Sequence, residues 1–271
     1  MDSNWISNII KSLSLALVVL LLGSGPPDYS KLRSIAVKAN FLTTDNLRNV
    51  YLVNDKNQLL KYDPDGQLIY TYNSKKYGAI GFVDARNPFK LRISYPEFST
   101  IVTLDNQLAE TAVINFMELG IPRFGPICTS SDNRIWIFDE QELKLKKIDQ
   151  NLNVILESDP FFSIFDAEDI HPNFMVERNN WLFINEPDIG ILVFDIYGTY
   201  AKTIHIKGLS QFQVRNDQLI YFQDGVCHSY HLKTLQKTKV LLPPAQGLKA
   251  IRFEKDRLFL LSENHLDLYA Y

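Results

Sequence analysis

The sequence has few cysteines and no excess of basic residues. Only 2 of its 271 residues are cysteine, which excludes a small domain held together by a network of disulfides. Lysine and arginine number 28 against 31 aspartates and glutamates, so the formal net charge is -3. Because the backbone of a nucleic acid is bound by a basic surface, we expect no nucleic-acid partner.

The sequence also lacks the motifs of three common catalytic sites. It contains no Gly-x-Ser-x-Gly nucleophile elbow, no His-Glu-x-x-His zinc helix and no glycine-rich phosphate loop. We therefore predict no catalytic residue and no cofactor. A protein that binds without catalysis is the leading hypothesis, and an enzyme is the alternative.

A single long apolar run lies near the N-terminus. Residues 13–22 (LSLALVVLLL) follow a polar start that contains Lys11 and precede residues 23–27 (GSGPP). This order is typical of a secretory signal peptide, and a membrane anchor is the alternative. We predict a hydrophobic targeting helix in residues 1–30, an exported domain over residues 31–271, and membrane contact through residues 1–30 alone.

An internal repeat is the strongest pattern after residue 30. Short apolar segments that carry aromatic residues and end in a polar or acidic pair recur at intervals of 38 to 46 residues. A period near 40 to 45 residues is typical of a four-stranded propeller blade. The segments are VYLVND (50–55), the degenerate KLRISY (90–95), IWIFDE (135–140), WLFINE (181–186), LIYFQD (219–224) and LFLLSE (258–263).

The two ends of the repeat indicate how a ring would close. The last unit supplies three strands, and Leu32–Ala39 supplies a fourth, outer strand. We therefore predict an all-β fold, a six-bladed β-propeller of four-stranded antiparallel blades closed by an N-terminal strand. A β-sandwich or β-solenoid is the alternative, but a sandwich does not require such a period. In this register Cys128 and Cys227 lie two blades apart, and we expect two free, buried thiols.

The repeat resembles the NHL and YncE-like propeller repeats. The resemblance rests on Asp132–Asp139 (DNRIWIFD) followed by Leu145–Asp149. The chain is also similar to uncharacterised exported bacterial propellers, through Asn87-Pro88-Phe89-Lys90 and the turn Asp195-Ile196-Tyr197-Gly198. This resemblance covers about residues 32 to 271 and implies a fold, but it implies no particular activity because propellers host many functions.

Two segments contain residues that bind metals in other proteins. Cys227-His228-Ser229-Tyr230-His231 is expected to form a strand, in which Cys227 and His231 lie about 13 Å apart and are too distant to share a zinc ion. We therefore predict no metal site there. The acidic segment around residue 170 connects two predicted blades and is a weak candidate for a hard cation, with possible ligands Asp166, Glu168, Asp169 and His171.

Basic residues and an apolar segment in the second unit are the candidate binding residues. Arginine forms paired hydrogen bonds with carboxylates, so arginines that point into a propeller channel would bind an acidic ligand. Arg86, Lys90 and Arg92 cluster in the second unit, and Arg123, Arg178 and Arg215 lie near the starts of later units. Pro88, Pro96 and Phe98 also suggest a modified edge of the second blade that would contact a partner. The binding candidates are Arg86, Pro88, Phe89, Lys90, Arg92 and Arg123.

These features predict a non-catalytic binding or scaffolding propeller of the bacterial cell envelope. We expect it to be a monomeric propeller that contacts an envelope protein. A propeller enzyme, either a hydrolase or a lyase acting on a small envelope substrate, is the alternative.

Overall fold

The computed structural model describes residues 28–165 and 169–271, and in this part of the chain twenty-four strands form six four-stranded antiparallel sheets. The predicted six-bladed propeller is therefore confirmed. Of the predicted targeting segment, residues 1–30, residues 1–27 lie outside the described residues, and the targeting helix stays a prediction. Among the described residues, no helix has the length and hydropathy needed to cross a membrane.

Each of the first five blades uses four consecutive strands, ordered from the channel outward. Blade 1 contains β2 (Ala39–Thr44), β3 (Val50–Asn54), β4 (Leu59–Tyr62) and β5 (Leu68–Tyr72). Blade 2 contains β6 (Phe82–Asp84), β7 (Leu91–Tyr95), β8 (Thr100–Leu104) and β9 (Glu110–Asn115). Blade 3 contains β10 (Phe124–Thr129), β11 (Ile135–Asp139), β12 (Lys144–Ile148) and β13 (Val154–Glu157). Blade 4 contains β14 (Phe174–Arg178), β15 (Trp181–Glu186), β16 (Gly190–Asp195) and β17 (Tyr200–Ile204). Blade 5 contains β18 (Gln213–Arg215), β19 (Gln218–Gln223), β20 (Val226–His231) and β21 (Lys237–Val240).

Blade 6 joins the two ends of the chain, as predicted. Strands β22 (Leu248–Phe253), β23 (Arg257–Ser262) and β24 (His265–Ala270) are completed by β1 (Ser30–Ala36). Strand β1 pairs antiparallel with β24 from Ser30 opposite Ala270 to Ala36 opposite His265. This pairing covers the edge that β24 would otherwise expose.

Within the described residues, a short helix and two 3-10 turns lie between strands. The helix α1 (Phe161–Ile164) follows blade 3, and the turns are Pro96–Phe98 and Phe116–Leu119. Because strands in a blade alternate in direction, the propeller has two distinct ends. We call the end where each innermost strand finishes the front face, and the end where it begins the back face.

Aspartates build the turn between the third and fourth strands in blades 1 to 4. In each turn the aspartate Oδ1 accepts hydrogen bonds from the backbone N–H groups two and four residues later, at 2.8–3.0 Å. Such bonds fix an Asx-type turn, which explains why the repeat ends its third strand in this residue. The four residues are Asp63, Asp105, Asp149 and Asp195.

The hydrophobic core lies between neighbouring blades, where aromatic and branched side chains of the middle strands face each other. Strand β11 (IWIFD) is buried throughout, and Trp136 is fully enclosed. Both cysteines are free and buried, as predicted, with Cys128 on the innermost strand of blade 3 and Cys227 on the third strand of blade 5.

Phenylalanines pack across the centre of the ring. The ring centroids of Phe41 and Phe82 are 5.4 Å apart, those of Phe82 and Phe174 are 5.6 Å apart, and those of Phe174 and Phe212 are 4.9 Å apart. Edge-to-face contacts of this kind add a favourable interaction energy to that of burying the rings. The rings of Phe82, Phe174 and Phe212 lie at or directly before the start of their innermost strands, and they pack against one another across the channel there.

Candidate functional site

A cavity of about 310 Å³ lies on the axis of the propeller at the front face. We call it the arginine cavity. Its walls come from the innermost strands of all six blades and from residues that follow them, and Phe82, Phe174 and Phe212, at or directly before the start of their strands, contribute apolar surface. Its polar walls include Asp84, Arg86, Thr129, Arg178, Arg215, Arg252 and Glu254.

Four arginines line this cavity, and most of their hydrogen bonds go to neutral groups. Arg178 Nη1 donates to the carbonyl of Glu177 at 3.1 Å, and Arg215 Nη1 donates to Tyr271 Oη at 2.7 Å. Arg252 is only 6% exposed, and its Nη2 donates to Gln211 Oε1 at 2.7 Å. The guanidinium groups are thus placed by carbonyls, a hydroxyl and an amide.

Arg86 differs because it joins three blades. Its Nη1 donates to the carbonyl of Thr129 in blade 3 at 3.0 Å and to that of Glu177 in blade 4 at 2.6 Å. The same nitrogen lies 3.6 Å from the Glu177 carboxylate. Arg86 therefore fixes the wall of the cavity as well as contributing charge to it.

The acidic groups of the cavity are committed to other donors. Asp84 Oδ1 accepts the backbone N–H of Arg86 at 2.9 Å, and its Oδ2 accepts the backbone N–H of Thr129. Glu254 Oε1 accepts the hydroxyl of Thr44. Asp45 also lines the cavity and accepts the backbone N–H of Asn49 and the hydroxyl of Tyr51, both at 2.9 Å. None of the three carboxylates forms an ion pair with an arginine among the described residues.

Burial and the repulsion between like charges shift the pKa values of several groups in the cavity. Burial lowers the pKa of Arg178, and the nearby charge of Arg86 lowers it further. Burial lowers the pKa of Arg252 to about 10, with Arg178 adding to the effect while Glu254 opposes it. Burial also raises the pKa of the Glu254 carboxyl, against the hydrogen bond from Thr44. Arg252 stays protonated at neutral pH, since its lowered pKa still lies well above 7.

Beside the arginine cavity, two turns form an apolar rim. Leu47 follows strand β2 and is 51% exposed, and Phe89 follows strand β6 and is 63% exposed. They line a shallow space of about 280 Å³ together with Pro88 and Arg86. Because Arg86 lines both spaces, the rim is continuous with the cavity. We call Leu47, Pro88 and Phe89 the front rim.

The remaining basic candidates of the second unit lie elsewhere. Lys90 and Arg92 line a separate space of about 390 Å³ between blades 2 and 3. Arg92 is buried, donates to Thr129 Oγ1 and, through Nη2, to the carbonyl of Asn133 at 2.9 Å. Arg123 is exposed directly before β10, which places it at the back face. The structure therefore brings Arg86, Pro88 and Phe89 together but not the other three.

The suspected edge of blade 2 is also divided between the two faces. Pro88 lies in the turn between β6 and β7, at the front face, whereas Phe98 lies in the turn between β7 and β8, at the back face. A single surface formed by both is therefore wrong. The reason is that successive turns of an antiparallel sheet lie at opposite ends.

Of the acidic candidates, Asp169 and His171 lie before strand β14, at the back face. Asp166 and Glu168 fall outside the described residues. His171 Nε2 lies 2.6 Å from Asp169 Oδ1, and both side chains are exposed. In residues 28–165 and 169–271, no three side chains of histidine, cysteine, aspartate or glutamate lie close enough to hold a metal ion.

Sequence reasoning missed Arg252 and Glu254 as parts of the site. A signal was available in the last three blades, where an arginine stands at or near the end of each innermost strand: Arg178, Arg215 and Arg252. A charged side chain at that place in an otherwise apolar segment is expected to face the channel mouth. Aligning these strands by their ends would have predicted the cluster.

Comparison with known proteins supports the fold and goes no further. No protein-family model and no curated protein sequence matches the chain. The Pan2 WD40 domain of Neurospora crassa is similar, with a TM-score of 0.66 at 9% identity over 91% of this chain and 96% of that one. Virginiamycin B lyase of Staphylococcus aureus gives 0.64 at 10% identity over 90% and 100%, and a form of it inactivated by a histidine-to-alanine substitution is seen with quinupristin. BamB of Moraxella catarrhalis gives 0.54 at 9% identity over 90% and 98%.

Proposed function

We propose that this chain is a non-catalytic binding propeller of the bacterial cell envelope that holds a partner protein at its front face. The observation that carries the proposal is the front rim, where Leu47 and Phe89 stand exposed on neighbouring blades beside a charged cavity. Exposed apolar side chains bordered by arginine are typical of protein interfaces. The propeller itself acts as a monomer.

The envelope location is proposed from the sequence alone. Residues 13–22 are apolar and follow the polar segment that contains Lys11. The test is a fusion of residues 1–30 to a reporter enzyme that is active only outside the cytoplasm. Activity of the fusion supports export, whereas an inactive fusion that is stably expressed contradicts it.

The partner is tested by crosslinking in cells that make the full chain. A photoreactive phenylalanine analogue replaces Phe89 in one strain and Phe162, which is 59% exposed on α1 at the back face, in another. We expect one defined protein to be crosslinked from position 89 and not from position 162. Leu47→Ser with the analogue at position 89 should weaken that product. Equal products from both positions would contradict the proposal.

The alternative is an enzyme that uses the same cavity. It is favoured by the structural similarity to virginiamycin B lyase and by Glu254, whose raised pKa would suit a general base. Against it, no histidine lies among the described residues that line the cavity, whereas a histidine substitution inactivates that lyase. Incubation of the chain and its Glu254→Gln variant with quinupristin, the molecule seen with that lyase, distinguishes the two: cleavage that is lost in the variant supports the enzyme.

A further inference from the structure

We propose that the arginine cavity binds an oxyanion, either a phosphate monoester or a carboxylate, on a small molecule whose apolar part rests against the phenylalanines. This inference goes beyond the proposed function, because the cavity can be filled without a partner protein. The front rim is where a protein would dock, and the arginine cavity lies beside it on the axis.

Unsatisfied positive charge is the first argument. Within the described part of the chain, Arg178, Arg215 and Arg252 have no carboxylate within 4.0 Å. A guanidinium has five N–H donors in a planar fork that matches an oxyanion. Arg178 uses one of its nitrogens on the carbonyl of Glu177, so donors remain for a ligand.

The energetic cost of this arrangement is the second argument. Buried charges normally occur with a partner of opposite sign, because removal from water is expensive. Here Arg178 is repelled by Arg86, and Arg252 is repelled by Arg178. The carboxylates of Asp84 and Glu254 attract Arg178 and so offset part of this repulsion, but neither lies within 4.0 Å of an arginine among the described residues. A bound anion in direct contact with the arginines would offset more of the repulsion.

The shape and floor of the cavity define the rest of the ligand. A volume of about 310 Å³ lies at the lower end of the range for small-molecule sites. Phe82, Phe174 and Phe212 supply apolar surface, and the arginines supply donors. An inorganic anion would leave the phenylalanine rings without a partner. We therefore expect an oxyanion that carries a compact apolar or aromatic group.

The direct test is calorimetric titration of the purified full chain in detergent at neutral pH and low salt. The probes are phenyl phosphate and benzoate, with inorganic phosphate lacking the ring and phenol lacking the charge. We expect one of the two aromatic anions to bind with a dissociation constant below about 1 mM, more tightly than inorganic phosphate, and phenol not to bind. The preferred anion decides between phosphate and carboxylate. No heat with either anion would overturn the proposal.

Variants locate the site. Arg178→Gln should weaken binding by about tenfold or more, since it removes a charge-assisted hydrogen bond. Arg178→Lys keeps the charge without the fork and should fall between the two. Arg123→Gln, at the back face, is the matched control and should bind like the unaltered chain. Equal affinity in Arg178→Gln and Arg123→Gln would overturn the assignment of the site.

A second measurement does not depend on a variant that folds. Phenylglyoxal modifies accessible arginines, and mass spectrometry of peptides reports each position. Saturating anion should slow modification of Arg178 and leave that of Arg123 unchanged. Equal rates with and without the anion would contradict the proposal. A failure here leaves the crosslink from position 89 unaffected, so the two proposals fail separately.

Discussion

The indole Nε1 of Trp136 in blade 3 donates a hydrogen bond to Glu177 Oε2 in blade 4 at 3.0 Å, and both side chains are buried. The same carboxylate accepts hydrogen bonds from the hydroxyl of Ser130 at 2.6 Å and from the backbone N–H of Ser131 at 2.7 Å. Three donors from one blade therefore meet one carboxylate of the next. Arg86 of the cavity wall contacts the same residue, because it donates a hydrogen bond to the backbone carbonyl of Glu177.

The first prediction is that Glu177→Gln destabilises the propeller by about 1.5 to 3 kcal/mol. The amide keeps the shape of the side chain but lacks the charge that strengthens these hydrogen bonds. Its NH2 group also faces donors and cannot accept a hydrogen bond from them. Denaturant unfolding followed by tryptophan fluorescence measures the change. Glu97→Gln, at an exposed position, is the control and should alter stability by less than about 0.5 kcal/mol. A Glu177→Gln protein as stable as the control would contradict the role of this carboxylate.

The second prediction concerns the pH dependence of the same group. Burial acts to raise the pKa of Glu177, but its hydrogen bonds with Ser130, Ser131 and Trp136 outweigh burial and hold the pKa below its usual range. A carboxyl with a lowered pKa in the folded state stabilises that state above its unfolded pKa, about 4.5, and this contribution is lost as the pH falls. The unaltered chain should therefore lose stability between about pH 5 and pH 3 more steeply than Glu177→Gln. Parallel curves for the two proteins would contradict the shift.

The third prediction is that neither thiol reacts in the folded protein. Burial raises the pKa of Cys128 well above its ordinary value and that of Cys227 to about 12, so the thiolate that reacts with disulfide reagents is scarce at neutral pH. A chromogenic disulfide reagent should detect both thiols in guanidinium chloride and neither within minutes under native conditions. Ser210→Cys, at an exposed position, should add one fast-reacting thiol. Fast labelling of the unaltered chain would indicate a more open blade 3 or blade 5.

The sequence was sufficient to predict the blades because local chemistry recurs in each one. The Asp195 turn and the apolar strand before it are visible in the chain without any long-range information. Closure by β1 was predictable for a related reason, since the last unit lacks one strand. The turns depend on short-range hydrogen bonds, and the closure follows from the number of strands in the last unit.

The candidate site was only partly predictable because it depends on long-range geometry. Arg86 and Arg178 come from different blades, and their approach depends on the number of blades in the ring. Arg92 belongs to the same basic segment as Arg86, but its guanidinium donates hydrogen bonds to Thr129 and Asn133 of blade 3. Two arginines in one segment thus have different environments, and alternation along the strand alone could not separate them.

The fourth prediction tests the phenylalanine floor of the cavity. Phe174 contacts both Phe82 and Phe212 and is buried, so Phe174→Ala should cost about 3 to 5 kcal/mol of unfolding free energy. Phe162→Ala, at an exposed position, is the matched control and should change stability by less than about 0.5 kcal/mol. A small effect at Phe174 would mean that the rings do not fill the channel.

The fifth prediction tests how the ring closes. Ser30 and Ala270 are directly opposite in the antiparallel pair of β1 and β24, a separation that suits a disulfide. A Ser30→Cys, Ala270→Cys protein should therefore oxidise readily and link the two ends of the described chain. Because the disulfide closes a very long loop, it should stabilise the fold by up to about 4 to 5 kcal/mol, less any strain.

The measurement is the melting temperature with and without reductant, together with faster migration of the oxidised chain on a denaturing gel. The Ser30→Cys single variant is the control and should melt at the same temperature under both conditions. Failure of the double variant to oxidise would mean that β1 does not pair with β24 at this register. Oxidation without stabilisation would mean that the ends already stay together in the unfolded chain or that the bond strains blade 6. The reduced double variant separates these explanations, since strain lowers the melting temperature of the oxidised form below that of the reduced form.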